Sequence, residues 1–409
     1  MADSEQLLKK ETENSVNRRP STVNQISYLG RFQCLADKCE DTCCKGWGMQ
    51  VDAERLKLYK EKAPELLEVV TTGETAHVMR RDEKTGYCVK FEDGLCGIQK
   101  KLGSDYLPDS CNFYPRITRQ FGGELYMAGS ISCPEIARLA IYGDAGFDFT
   151  SVELERTPLM IKNYLEGSGL DKDSSVALMQ KFIHLADDEV TPERIMSRIV
   201  SIAHSLDRFP AKDWLGAFDA FYPAVDERLA PAKSAPTDPY NLLNVLSGLA
   251  ANTRKPIMGR LSEIISSVEQ GLGVRVNWEK KTVERAREES YMRLSERYYR
   301  EISPLTVLPL KNWIKATLAA SAFPFGGLGK NAAERAIIIA VRFATLKLAI
   351  MANMQQMLQK PQETMIFLIQ GLARFLDHLA DPQLSMDCYR EVGWTDEGKL
   401  RGLLGDGLS

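Results

Sequence analysis

The chain has 409 residues, 44% of them hydrophobic and 26% charged, with a formal net charge of −3 and a pI near 6.0. That length exceeds what one ordinary core fills, so two domains are expected. The charge balance supplies no basic field for nucleic acid or for an acidic membrane surface.

Residues 1–25 are polar and lack the apolar stretch of a secretory signal. They are expected to be a mobile tail, and the protein to stay in the cytoplasm. Residues 26–145 follow as a small, irregular, cysteine-rich segment with short apolar runs around residues 73–82 and 122–132, which read as strands or loop edges. Within it, residues 51–70 read as a helix. Asp52 is placed to cap its start, and Leu56, Tyr59, Leu66 and Val69 recur on one side. Such a segment would need a metal to hold it together.

Residues 146–409 change character, so the whole is expected to be mainly α. Helical periodicity runs through 241–251, 261–272, 278–302, 310–320, 332–359 and 363–380. The stretch 278–302 is heavily charged, with Val283, Ala286, Met292 and Leu294 among its few apolar positions, and reads as an exposed or interfacial helix. Pro304, Pro309, Pro324 and Pro361 punctuate the boundaries. The most apolar run, 336–354, is interrupted by Arg342 and Lys347, so it reads as a buried helix with two snorkelling cations and not as a membrane span.

The cysteines carry the chemistry. Eight of the nine lie between residues 34 and 133, and the ninth is Cys388. Cys34, Cys39, Cys43 and Cys44 form a first cluster among turn formers Asp37, Asp41, Thr42, Gly46 and Gly48. Cys88 and Cys96, then Cys111 and Cys133, complete the set. In a chain without an export signal, clustered thiols read as metal ligands. Thiolates suit zinc and iron–sulfur centres alike. All eight are candidate ligands, as two four-thiolate sites or as one cluster with spare thiols. Adjacent Cys43 and Cys44 require a sharp backbone turn or two different centres, because neighbouring side chains of an extended segment point apart. Cys388 has no second thiol nearby in sequence and reads as a small buried hydrophobe.

Four segments resemble the flagellin lysine N-methylase family: CedtCCkGW at 39–47, CvkFedglCgIqkklG at 88–103, LPdsCnfYPR at 107–116 and SCPE at 132–135. The cysteines also look like a broader class of zinc- or iron-chelating proteins with a CxxxCxxCC signature, from which the C-x4-C-x3-C-C spacing at Cys34 departs. The family resemblance implies a bacterial cytoplasmic enzyme that methylates lysine ε-amino groups of flagellin before export. It also implies S-adenosylmethionine as methyl donor and a cysteine-held [4Fe–4S] cluster. The alternative is a non-catalytic zinc- or iron-binding adaptor.

The donor site is not legible. The glycines of 326–330 lie between helical segments and read as a helix end and restart, as does Gly273 after the preceding helix. A lysine amine is protonated near neutral pH, so a methylase must desolvate it or offer a base. Asp41, Asp109, Tyr114 and Glu124 lie near the cysteine motifs. Of the histidines His77, His184, His204 and His378, only His77 falls inside the cysteine-rich segment.

Overall fold

Alternating inward residues fix a five-stranded mixed sheet at the N-terminal end. In the computed structural model, which describes residues 21–407 apart from 74–75, 157, 159–161, 164–169, 236–237, 253–258, 278–281, 286–288 and 378–381, β1 (Ser21–Ile26) buries Val23 and Ile26 completely. Residues 21–25, expected within the tail, are therefore a paired strand; residues 1–20 lie outside the described residues. Before the sheet resumes, two short hairpins form, β2 (Val70–Thr72) with β3 (His77–Met79) and β4 (Phe91–Glu92) with β5 (Leu95–Cys96). The sheet is completed by β6 (Arg116–Phe121), β7 (Glu124–Gly129), β8 (Phe149–Leu154) and β9 (Lys162–Asn163), in the order β8-β1-β7-β6-β9. Gly122, at φ 60°, supplies the positive φ that the tight β6–β7 turn demands.

β1 and β7 run parallel, and a parallel pair needs a long crossover. Here the crossover is the cysteine-rich segment itself, carrying α1 (Ala53–Lys62), α2 (Gly97–Leu102) and α3 (Asp109–Phe113). Asp52 caps α1 as expected, its Oδ1 accepting the Arg55 backbone N–H at 2.9 Å. Pro64 stops the helix, and residues 64–69 continue as a 3₁₀ turn.

Helices fill the rest of the chain: α4 (Pro134–Tyr142), α5 (Lys172–His184), α6 (Pro192–Leu206), α7 (Asp238–Asn252), α8 (Arg260–Leu272), α9 (Glu289–Arg297), α10 (Ser303–Ser321), α11 (Ala332–Ala352), α12 (Met354–Gln359), α13 (Pro361–Leu376) and α14 (Glu397–Leu404). The protein is thus mostly helical, as the sequence predicts. Two details differ. Residues 282–285, read as helix, form strand β11 against β10 (Val274–Asn277), with Val283 opposite Val276 in the register. Trp278 lies outside the described residues. α10 runs through Pro309, where burial of Thr306, Leu310 and Trp313 outweighs the lost backbone bond.

Two hydrophobic cores form. One core unites β1, β6, β7 and flanking β8 with helices from α4 to α14, while a second, small core of Met49, Val51, Leu56, Tyr59, Met79, Ile98 and neighbours lies within the crossover. No helix among the described residues is long and apolar enough to cross a membrane.

α11 lies at the centre of the larger core and is buried along nearly its whole length. Lys347 does not snorkel from it. Its Nζ ion-pairs with Glu193 Oε1 at 2.7 Å and donates to the Tyr299 hydroxyl at 2.7 Å and the Leu404 carbonyl at 2.9 Å. Both charged side chains are under 8% exposed, so removing one partner strands the other in the core. Lys347→Met is expected to lower unfolding free energy by about 3–5 kcal/mol, and adding Glu193→Leu to restore most of it. Guanidinium denaturation midpoints of the two variants test this; equal midpoints for both would show that the pair does not anchor α11.

Candidate functional site

A local hydrogen-bond pattern bends the first cysteine loop. Asp41 Oδ1 accepts the Thr42 N–H at 2.8 Å, and Thr42 Oγ1 accepts the Cys44 N–H at 3.1 Å. The Trp47 indole donates to the Cys43 carbonyl at 2.6 Å, and Gly46 takes a φ of 84°. Of the two alternatives read for Cys43-Cys44, the sharp backbone turn is the one present at these residues. Backbone bonds from Cys88 N to Cys44 O (2.7 Å) and from Gly46 N to Gly86 O (3.2 Å) stitch the second cysteine segment alongside. Cys96 ends β5 and caps α2, and Cys111 lies in α3. α3 is docked by its first residue, since Asp52 Oδ2 accepts the Asp109 N–H at 2.9 Å.

All nine cysteines are free thiols, and eight of them fall into two groups. Cys43, Cys44, Cys88, Cys96 and Cys111 feel one another's charge, and the Cys44 thiol is in hydrogen-bond contact with both Cys43 and Cys96. That contact pulls the Cys43 and Cys96 thiols below their usual range and pushes Cys44 up. Backbone N–H groups of Gln99 and Ile98 at the start of α2 also favour the Cys96 thiolate. Burial raises Cys88 and Cys111. Cys34, Cys39 and Cys133 form the second group, with burial pushing Cys133 up to about 12. Cys388 packs against the main core, apart from both.

Helix α13 clamps the loop that carries the thiols. Asp41 Oδ2 accepts from Gln370 Nε2 at 2.7 Å and from Arg374 Nη1 at 2.5 Å, and Arg374 also bonds the Lys45 carbonyl. Gln370, fully buried, donates to the Ser132 carbonyl beside Cys133 at 3.1 Å. Arg260 spans Gln370 Oε1 (3.0 Å) and the Glu40 carbonyl (3.1 Å), and Arg138 reaches the Glu40 carboxylate at 2.8 Å. Among the described residues, no three or more His, Cys, Asp or Glu side chains already stand in a metal-holding arrangement. The donor set itself suits a soft metal, since it is thiol-rich and includes two thiols held toward the thiolate.

A cavity of about 620 Å³ adjoins the five-thiol group. Trp47, Gly48 and Gln50 form one wall with α3 and Tyr114; β6, the end of α10, the loop at 326–328 and α11 form the others. The Trp47 and Tyr114 rings meet at 5.6 Å between them. The glycines at 326–329 do separate two helices, as read from sequence, and they also line this cavity. They do not form an anion-binding helix start, because the N–H groups of Ala332 and Ala333 are bonded to the Asp207 carboxylate at 3.1 and 2.9 Å.

The other residues singled out in the sequence divide clearly. Asp109 and Tyr114 line the cavity, and burial keeps the Tyr114 phenol protonated. Asp41 is engaged by Arg374, and Glu124 pairs with Lys172 at 2.7 Å on the sheet. His77 is in hydrogen-bond contact with Thr72 at 3.3 Å in the β2–β3 hairpin. His184 contacts Asp187 and His204 bonds within its helix; His378 lies outside the described residues. Sequence reasoning missed Arg116, Arg119, Thr118 and Thr317 of the cavity wall. They sit about two hundred residues apart across strand and helix, and no local motif joins them.

The chain is similar to the lysine-N-methylase of Salmonella typhimurium, 27% identical over 125 residues that cover 28% of this chain and 31% of that protein. The lysine-N-methylase of Salmonella choleraesuis is 26% identical over 125 residues, with the same coverage. The flagellar biosynthetic protein FliU of Salmonella muenchen is 26% identical over 125 residues, covering 28% of this chain and 74% of that protein. The match spans about a third of the length of the curated lysine-N-methylases. No family model and no solved structure matches the chain.

Arg374→Gln is expected to loosen the thiol loop while leaving the helices intact. Losing a hydrogen bond to a charged group costs about 1.5–3 kcal/mol, so amide exchange across residues 41–46 is expected to speed up by roughly tenfold or more. Hydrogen-exchange mass spectrometry measures it, and unaltered exchange there would mean that the clamp does not hold the loop.

Proposed function

We propose that the chain is a protein-lysine N-methyltransferase of the cytoplasm that acts on flagellin, with S-adenosylmethionine as donor and a cysteine-held [4Fe–4S] cluster. The observation that supports it most is the wall shared by the five-thiol group and the cavity, through Trp47, Tyr114 and the α3 that carries Cys111. The shared wall occurs in a chain similar to lysine-N-methylases. Four of Cys43, Cys44, Cys88, Cys96 and Cys111 would hold the cluster, and Cys34, Cys39 and Cys133 would remain as a separate group. When bound, the donor supplies an electrophilic methyl group and the cluster a thiolate-held iron centre.

The chain's own residues set the conditions for transfer. A lysine must lose its proton before it can attack. Tyr114 is held protonated by burial and Asp41 and Glu124 are ion-paired, so none of these three is a ready base. The aromatic and aliphatic wall of Trp47, Phe113, Tyr114, Ile338 and Ile339 excludes water and disfavours the charged amine.

A second reading has an observation in its favour. Cys44, Cys88, Cys96 and Cys111 all belong to or pack on the small core of the crossover. A core that small gains from a metal staple, and zinc would serve. Anaerobic purification with iron, zinc and sulfide analysis, combined with methyl transfer to flagellin from labelled donor, separates the two. Iron with acid-labile sulfide, lost in Cys43→Ser, Cys88→Ser and Cys111→Ser together with methyl transfer but kept in Cys388→Ser, is the expected result. Stoichiometric zinc without sulfide would overturn the iron–sulfur assignment, and full transfer by metal-free variants would make the centre structural. Removing the metal is expected to open residues 39–111 to protease before the helices are cut.

A further inference from the structure

Buried polar atoms without partners are rare in folded proteins, and each calls for an explanation. Thr118 Oγ1, Arg119 Nε and Thr317 Oγ1 are buried with no hydrogen-bond partner, and all three residues line the same cavity. Thr118 is only 5% exposed. A desolvated, unsatisfied donor or acceptor costs about 1–3 kcal/mol, a penalty that a ligand with matching polar groups removes.

The charge of the wall narrows the ligand. Four arginines line the cavity: Arg116, Arg119, Arg335 and Arg342. Arg342 is neutralised by Asp377 at 2.7 Å, and Arg335 donates to the Pro324 carbonyl at 2.7 Å. Arg116 and Arg119 are different. Arg116 stacks over the Phe32 ring at 5.1 Å, and Arg119 Nη1 donates only to the neighbouring Thr118 carbonyl at 3.2 Å. Neither has a carboxylate partner among the described residues. Guanidinium groups of this kind attract a carboxylate. The volume, about 620 Å³, falls within the range of small-molecule sites.

We infer that this cavity is the methyl-donor site, with Arg116 and Arg119 holding the carboxylate of the donor's amino-acid end and the Thr118 and Thr317 hydroxyls bonding its polar edges. The inference rests on the methyltransferase reading for the identity of the ligand.

The test is a ligand-by-variant cycle on the full-length chain, using calorimetry with two ligands: S-adenosylhomocysteine and its decarboxylated analogue, which lacks only the carboxylate. The wild-type protein is expected to bind the carboxylate-bearing ligand about ten- to a hundredfold more tightly, the range for hydrogen bonds to a charged group. Arg119→Gln and Arg116→Gln are each expected to shrink that preference, and the double variant to abolish it. Thr317→Val is expected to weaken both ligands alike. Because the preference is a ratio measured within one protein, a general loss of folded protein does not mimic its disappearance. Equal binding of both ligands to the wild type, no binding of either, or a preference that survives in the double variant would each overturn the assignment. Transfer of labelled methyl groups to flagellin is measured in parallel. If the binding cycle holds and transfer fails, the flagellin methylase reading falls and the cavity assignment stands.

Discussion

The Asp41 carboxylate, gripped by Gln370 and Arg374 of α13, is the contact on which the site depends. The loop around it is poor in large apolar residues, so packing alone cannot order it, and each ordered residue costs about 1–2 kcal/mol of backbone entropy. The clamp offsets that cost at a single point. Gln370 is completely buried, with its carbonyl accepting from Arg260 and its amide donating to Asp41 and to Ser132. A buried amide with partners on both ends rigidifies its surroundings, whereas one left unsatisfied would destabilise them. Through that one side chain, α13 fixes the loop of Cys43 and Cys44 and the segment entering Cys133.

The grouping of the thiols follows from the sheet. β1 and β7 are parallel neighbours, so the segments that leave their C-terminal ends emerge at the same edge. The segment after β1 leads to Cys34 and Cys39, and the one after β7 leads to Cys133. Tyr28 ties the two exits together: its hydroxyl bonds both the carbonyl (3.3 Å) and the N–H (3.1 Å) of Gly129. The remaining five thiols belong to the crossover between these strands, where the 44–46 and 86–88 pairing and the docking of α3 by Asp52 gather them. Two groups arise because one set is built on the sheet's edge and the other on the insertion.

This division explains what the sequence could and could not reveal. Clustering of cysteines, the Asp52 cap, the turn at Cys43-Cys44 and most helices are local properties, and local patterning exposes them. Which cysteines share a neighbourhood is a tertiary property. Cys39 is close in sequence to Cys43 yet groups with Cys133, because the parallel pairing of β1 with β7 decides it. Lys347 looked like a snorkelling cation because its partner Glu193 lies on another helix, and Val283 looked helical because its cross-strand neighbour Val276 is invisible to a helical period. The cavity was illegible for the same reason, its wall being assembled from a strand, three helices and two loops.

The electrostatic plan of the region links the thiols to the cavity. On the outer side of the loop, Glu40, Asp41 and Glu135 are matched by Arg138, Arg260 and Arg374, so that clamp is close to neutral. On the inner side, Arg116 and Arg119 stand in no ion pair among the described residues, and Asp109 shares the wall with them. Between the two sides stand Trp47 and Tyr114, whose rings touch across the boundary while Trp47 donates to the Cys43 carbonyl and Tyr114 is in hydrogen-bond contact with Ser132. The same two rings bear on both, so their packing couples the order of the cysteine loop to the shape of the cavity.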